Sequence, residues 1–185
     1  MRYLFGLCVL CLTVAASEAC GEDPTEAEKA ARDFAFEKTK LGTSLTDFKK
    51  RFPTAELIKE NSDPKLKLAC YMADANSATF CGYYFLDDKL YEMRIGYVAR
   101  TVNKLGGWEV LLEKLVEKFG KLKDGDYEVK SDPLKVSGIW RFPKVDRAVS
   151  IEASPKFVGI EVTDLALLKE VQQRKKKAAK TGFDD

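Results

Sequence analysis

The sequence predicts an α+β protein of two tandem modules, each setting a helix or helices before an antiparallel four-stranded meander, with a further helix at the C-terminus. Three observations carry this expectation. Apolar residues recur at helical spacing in 44–52 and 108–119. Between residues 55 and 162, apolar and polar residues alternate along short runs, and clusters such as NSDP, DANS, FPKVDR and SPK punctuate those runs. The order of elements also repeats, and KLG at 40–42 is echoed by KLG at 104–106, which suits a duplicated plan.

The chain opens MRYLFGLCVLCLTVAASEAC, with a basic Arg2, an apolar run to Val14 and small residues after it. That is the layout of a secretory signal peptide over residues 1–19, cleaved after Ala16 or Ala19. The run is too short for a stable membrane anchor. The mature chain is therefore expected outside the cytoplasm, periplasmic or extracellular. Three parts follow: a helix-helix-four-strand module over 20–100, a helix-four-strand module over 101–163, and a basic helix and tail over 164–185.

Asp23 before Pro24, with Glu26 three positions after Asp23, reads as a capped helix start running to about Phe34 or Phe36. Gly42 breaks the chain. Ser44 with Asp47 offers a second cap, Leu45, Phe48 and Phe52 share one helical face, and Pro53 ends it. Strands are expected at 55–60, 65–72, 78–86 and 89–98. After Gly106 and Gly107, WEVLLEKLVEKFG carries a helical stripe from Trp108 to Phe119 with Gly120 as its C-cap. Strands follow at 127–131, 136–142, 148–154 and 157–162, and Thr163 or Asp164 caps the last helix.

FEKTKLGTSLTDFKKRFP, followed by strands that include YYFLDDKLYEMRIGY, resembles the exported SmpA/OmlA-type modules of outer-membrane assembly lipoproteins and the tandem-repeat beta-lactamase inhibitor protein. Phe36, Gly42, Ser44, Phe48, Phe52 and Pro53 fill the shared pattern, mainly over 23–98. The resemblance implies a non-catalytic exported binding or scaffold module, with helices layered on an antiparallel sheet. The extra C-terminal half exceeds a single module. Cys20 is a lipidation candidate, although Ser17, Glu18 and Ala19 stand where such a signal needs a Leu-like residue and small spacers. Ordinary cleavage is the other reading.

The mature chain carries Cys20, Cys70 and Cys81 in an oxidising compartment, where disulfides persist. A hairpin turning at Ala75 and Asn76 sets Cys70 directly opposite Cys81, near bridging distance. A staple closing so short a loop contributes about 2–3 kcal/mol. That register places Leu66, Leu68, Cys70, Met72, Cys81, Tyr83, Phe85 and Leu90 on one face. Tyr71, Phe80, Tyr84, Leu86, Tyr91, Met93, Ile95 and Tyr97 take the other. Tyr71, Tyr84, Tyr91 and Tyr97 are then candidates for a protein-binding face, or for a core covered by the second module through Trp108 or Trp140.

The chain contains no histidine, which removes Ser-His-Asp and Cys-His catalysis and His-containing zinc sites. No metal or cofactor is expected, and no catalytic residue stands out. An enzyme would have to use a turn carboxylate such as Asp74, Asp87 or Asp88. Lys and Arg number 31 against 29 Asp and Glu, so no global field argues for nucleic acid. Charge is polarised instead, from an acidic GEDPTEAE to a basic QQRKKKAAK. Arg174, Lys175, Lys176 and Lys177 either complement the end of the last helix or contact an anionic lipid surface. The expected partner is a protein of the cell envelope, which the sequence does not identify.

Overall fold

The computed structural model describes residues 23–75, 78–123, 125–131 and 134–181. Residues 1–19, expected to be a signal segment, and Cys20 lie outside them. In chain order the elements are α1 (Glu26–Arg32), β1 (Ala35–Phe36), β2 (Thr39–Lys40), α2 (Leu45–Arg51), β3 (Glu56–Leu57), β4 (Leu68–Ala73), β5 (Phe80–Leu86) and β6 (Lys89–Val98). Then come α3 (Ala99–Lys104), α4 (Trp108–Phe119), β7 (Tyr127–Ser131), β8 (Leu134–Phe142), β9 (Arg147–Ser154), β10 (Phe157–Asp164) and α5 (Leu165–Thr181). The fold is α+β.

The two meanders form one eight-stranded antiparallel sheet in the order β3-β4-β5-β6-β10-β9-β8-β7. Their last strands meet at the centre, with Ile95 opposite Ile160 and Gly96 opposite Gly159. One face is apolar across the whole sheet. Tyr83, Met93, Ile95, Val158, Val162, Val149, Ile151 and Trp140 are buried there. α2 seats Phe48 among the rings of Tyr71, Tyr83 and Phe85, 4.7 to 5.8 Å between centroids. α4 buries Leu115 and Phe119, and the carbonyl of Gly120 accepts from Trp140 Nε1 at 2.8 Å. α1 packs on α4 and β9, so the first helix of the chain lies over the second meander.

Local chemistry explains where the elements depart from the expected spans. α1 is capped by Thr25 rather than Asp23: Glu28 N donates to Thr25 Oγ1 at 3.2 Å and Thr25 N to Glu28 Oε2 at 2.7 Å, a capping box. It ends at Arg32, and a two-stranded hairpin follows instead of more helix. Glu37 and Lys38, both at positive φ, form its turn. α2 begins at the Ser44 cap as expected, and α3 is an added short helix. β3 is only two residues long, because 3₁₀ turns at Lys59–Asn61 and Pro64–Leu66 take the chain away from the sheet.

The β4–β5 hairpin corrects the expected register. Leu68 faces Leu86, Cys70 faces Tyr84 and Ala73 faces Cys81, so β4 ends before Asp74 and the connection is longer than a tight turn at Ala75 and Asn76. The shift is by an odd number of residues, which sends Cys70 and Cys81 to opposite faces. They are buried free thiols rather than a staple. Core packing decides this register: it lets Tyr71 and Tyr83 meet under Phe48. A bulge between Tyr84 and Phe85 on one strand and Leu90 and Glu92 on the other leaves Tyr91 as the extra residue.

Candidate functional site

The four candidate tyrosines do not share an exposed face. Tyr71 and Tyr97 are buried in the helix-covered core. Tyr91, only 6 % exposed, and the half-buried Tyr84 lie on the other face. There α5 covers them, with Leu167, Leu168 and Val171 packed against Leu68, Leu86 and Tyr91. Burial pushes the hydroxyls of Tyr84, Tyr91 and Tyr97 above their ordinary pKa. The tyrosine-rich surface is therefore core.

Of the turn carboxylates, Asp87 makes a structural contact. Asp87 and Asp88 occupy left-handed positions in the β5–β6 turn, and the Asp88 carbonyl accepts from Leu45 N at 2.8 Å. Asp87 is hydrogen-bonded to the Arg174 guanidinium and lies 3.5 Å from Lys67 Nζ. The Arg174 hydrogen bonds hold its carboxyl below the usual range. Asp74 is exposed in the β4–β5 connection. The surface of the described residues includes clefts of about 310 and 250 Å³. The first is lined by Lys65, Leu66, Lys67, Arg174, Lys177 and Ala178, the second by Leu112, Val116, Lys121, Leu122, Lys123 and Tyr127. Neither lining includes a carboxylate.

Arg174 separates from its basic neighbours. It donates to Leu66 O at 3.1 Å and pairs with Asp87 and Glu170, which clamps α5 to the Pro64–Leu66 turn. Lys175, Lys176 and Lys177 are exposed on the end of the helix beyond the clamp. The fold brings Lys65 and Lys67, distant in sequence, beside that end. Arg174 is a fastener, and the lysines are the surface charge.

The face that α5 leaves uncovered has its own construction. At the central seam, Phe80 and Phe157 stack with centroids 6.2 Å apart and planes 13° from parallel. Each ring lies across a glycine. A Cβ on Gly96 would fall 2.0 Å from Phe80 Cζ, and one on Gly159 would fall 2.9 Å from Phe157 Cε1. Strand glycine here serves close approach rather than turning. Both rings are partly exposed, and Glu152 opposite Gly159 and Ser154 opposite Phe157 put polar groups beside them on β9. Of the two contacts only Phe157 with Gly159 is legible in the sequence, because residues two apart in a strand share a face; Phe80 meets Gly96 across the strand pair.

Between this platform and α5 lies a charged cluster. Arg94 Nε sits 2.5 Å from Glu92 Oε1 and 3.1 Å from Glu161 Oε2, and its guanidinium stacks 4.7 Å from the centre of the Tyr84 ring. Glu92 is buried. Burial and then the nearby Glu161 push its carboxyl up to about 7, against the opposing pull of Arg94 and Lys175. The guanidinium is shared between two carboxylates, and of the three groups only Glu92 is withdrawn from water.

Because the folded protein prefers Glu92 protonated, its contribution to stability is complete below the ordinary carboxylate range and is lost as pH rises through about 7. Melting temperatures taken across that interval should show a smaller decline for Glu92→Gln than for the wild type, and identical slopes would contradict the assignment. No family model, curated protein or solved structure matches this chain.

Proposed function

We propose that the mature chain is an exported, non-catalytic binding or scaffold protein of the cell envelope that holds a protein partner on the open half of its sheet. The observation that supports this reading is the stacked Phe80 and Phe157 pair, partly exposed over glycines with Glu152 and Ser154 beside it. Aromatic anchors inside a polar rim are the usual energetic centre of a protein interface. Pre-stacking also matters, because rings already fixed in the free protein lose little freedom on binding. The signal-like segment at residues 1–19 and the resemblance of residues 23–98 to exported modules support reading that function as one outside the cytoplasm. Affinity capture by the mature protein from its own envelope fraction tests the reading. The double variant Phe80→Ala/Phe157→Ala should lose a partner that the wild type retains, by about 2 kcal/mol or more, roughly thirtyfold. Retention of every partner by a folded double variant would contradict it.

A second contact is supported by the cleft that joins Lys65 and Lys67 to the end of α5. With Lys175 and Lys176 exposed beside it, this end of the molecule suits an anionic lipid surface. Co-sedimentation with phosphatidylglycerol-containing vesicles should fall with added salt and with Lys65→Gln/Lys67→Gln/Lys175→Gln. Equal binding to neutral vesicles would remove this reading.

A further inference from the structure

β7 is an edge of the sheet, paired with β8 on its inner side. Its backbone polarity follows from one bond: Ile139 N donates to Asp126 O at 2.9 Å. Hydrogen-bonded positions alternate along an antiparallel pair, so Glu128 and Lys130 turn their backbone groups inward. Tyr127, Val129 and Ser131 turn theirs outward to the open edge. Natural edges are commonly blunted by proline, a bulge or a run of like charge. β7 has regular pairing without a register shift, contains no proline, and carries one charge of each sign.

The edge also carries apolar surface. Tyr127 is 47 % exposed, Val129 51 % and the neighbouring Leu134 40 %. Val129 and Leu134 lie on the core side of the sheet, since their line continues the buried Val136 and Trp140. Beside Tyr127 opens the cleft of about 250 Å³ with Leu112, Val116 and Leu122 in its wall. An apolar margin next to unpaired backbone groups is a surface built to receive a strand.

The order Tyr127, Glu128, Val129, Lys130, Ser131 is self-complementary about Val129. Antiparallel pairing across a twofold axis at Val129 sets each Glu128 opposite Lys130 of the second copy. These are non-hydrogen-bonded positions, where facing side chains come closest. Val129 then faces its own counterpart and Tyr127 faces Ser131, with about six N–H···O bonds between the edges. Within one chain Lys130 Nζ already lies 3.6 Å from Glu128 Oε1, so the pairing exchanges that exposed ion pair for two across the axis. We propose that β7 joins two copies of this chain edge to edge in a twofold dimer with that register, continuing the sheet from one copy into the other.

Sedimentation velocity of the mature protein over a concentration series tests this. The wild type should pass from monomer to dimer. Glu128→Lys should raise the dissociation constant at least about tenfold, and Glu128→Lys/Lys130→Glu should restore it, because the swapped charges still pair across the axis. Val129→Pro removes an outward N–H that the monomer does not use, and should give a monomer whose melting temperature matches that of the wild type at concentrations where the wild type is itself monomeric. A wild type that stays monomeric throughout, or a dimer that survives both Glu128→Lys and Val129→Pro, overturns the proposal. A β7 that pairs only with a strand of another protein also overturns it.

Discussion

The constraint on which the rest depends is the seam between β6 and β10. β6 is the longest strand, and without a neighbour it would present an unpaired edge beside a half-built core. Pairing it with β10 removes both meanders' inner edges at once and makes the buried faces of the two halves continuous, from Tyr83 and Met93 to Val162 and Val149. The helices then follow the joined sheet rather than the order of the chain. α1 crosses to β9 and α4, where Phe34 lies 6.2 Å from Phe119 between ring centres. Each half therefore lacks part of its cover unless the seam exists.

On the opposite face the same seam is built from glycine. Gly96 opposite Gly159 leaves no Cβ between the two strands, and Phe80 and Phe157 fill that space as a stacked pair. The face is divided: α5 occupies one part through Leu167, Leu168 and Val171, and the aromatic platform occupies the rest. The Glu92, Arg94 and Glu161 cluster marks the boundary. A second ion pair fixes where α5 leaves the sheet, with Arg147 Nη1 2.7 Å from Asp164 Oδ2, while Asp164 Oδ1 accepts from Leu167 N at 3.0 Å as the helix cap.

Periodicity made the main elements legible. The stripe from Trp108 to Phe119, the Ser44 cap and the alternation in the second meander all describe local backbone preference, which sequence neighbours determine. Register is different. The β4–β5 pairing answers to Phe48, Tyr71 and Tyr83, residues distant in sequence, and a turn centred by the symmetry of its letters carries no information about them. Facing cysteines were a plausible anchor for the wrong register. Parity carries that register to the tyrosines: it puts Tyr71 and Tyr84 on one face, whereas the β4–β5 pairing sends them to opposite faces and the bulge parts Tyr91 from Tyr97. Arg174 shows the same limit on a helix: it sits one turn beyond Val171 and Glu170 on the docked side, whereas its basic neighbours face water.

Native-state hydrogen exchange tests the central role of the seam most directly. The amides of β6 and β10 should exchange only through global unfolding, with the same opening free energy as those of β5 and β9. If residues 23–98 and 108–164 instead open as two independent units of different stability, the seam is a contact between separate folds and not the foundation of one.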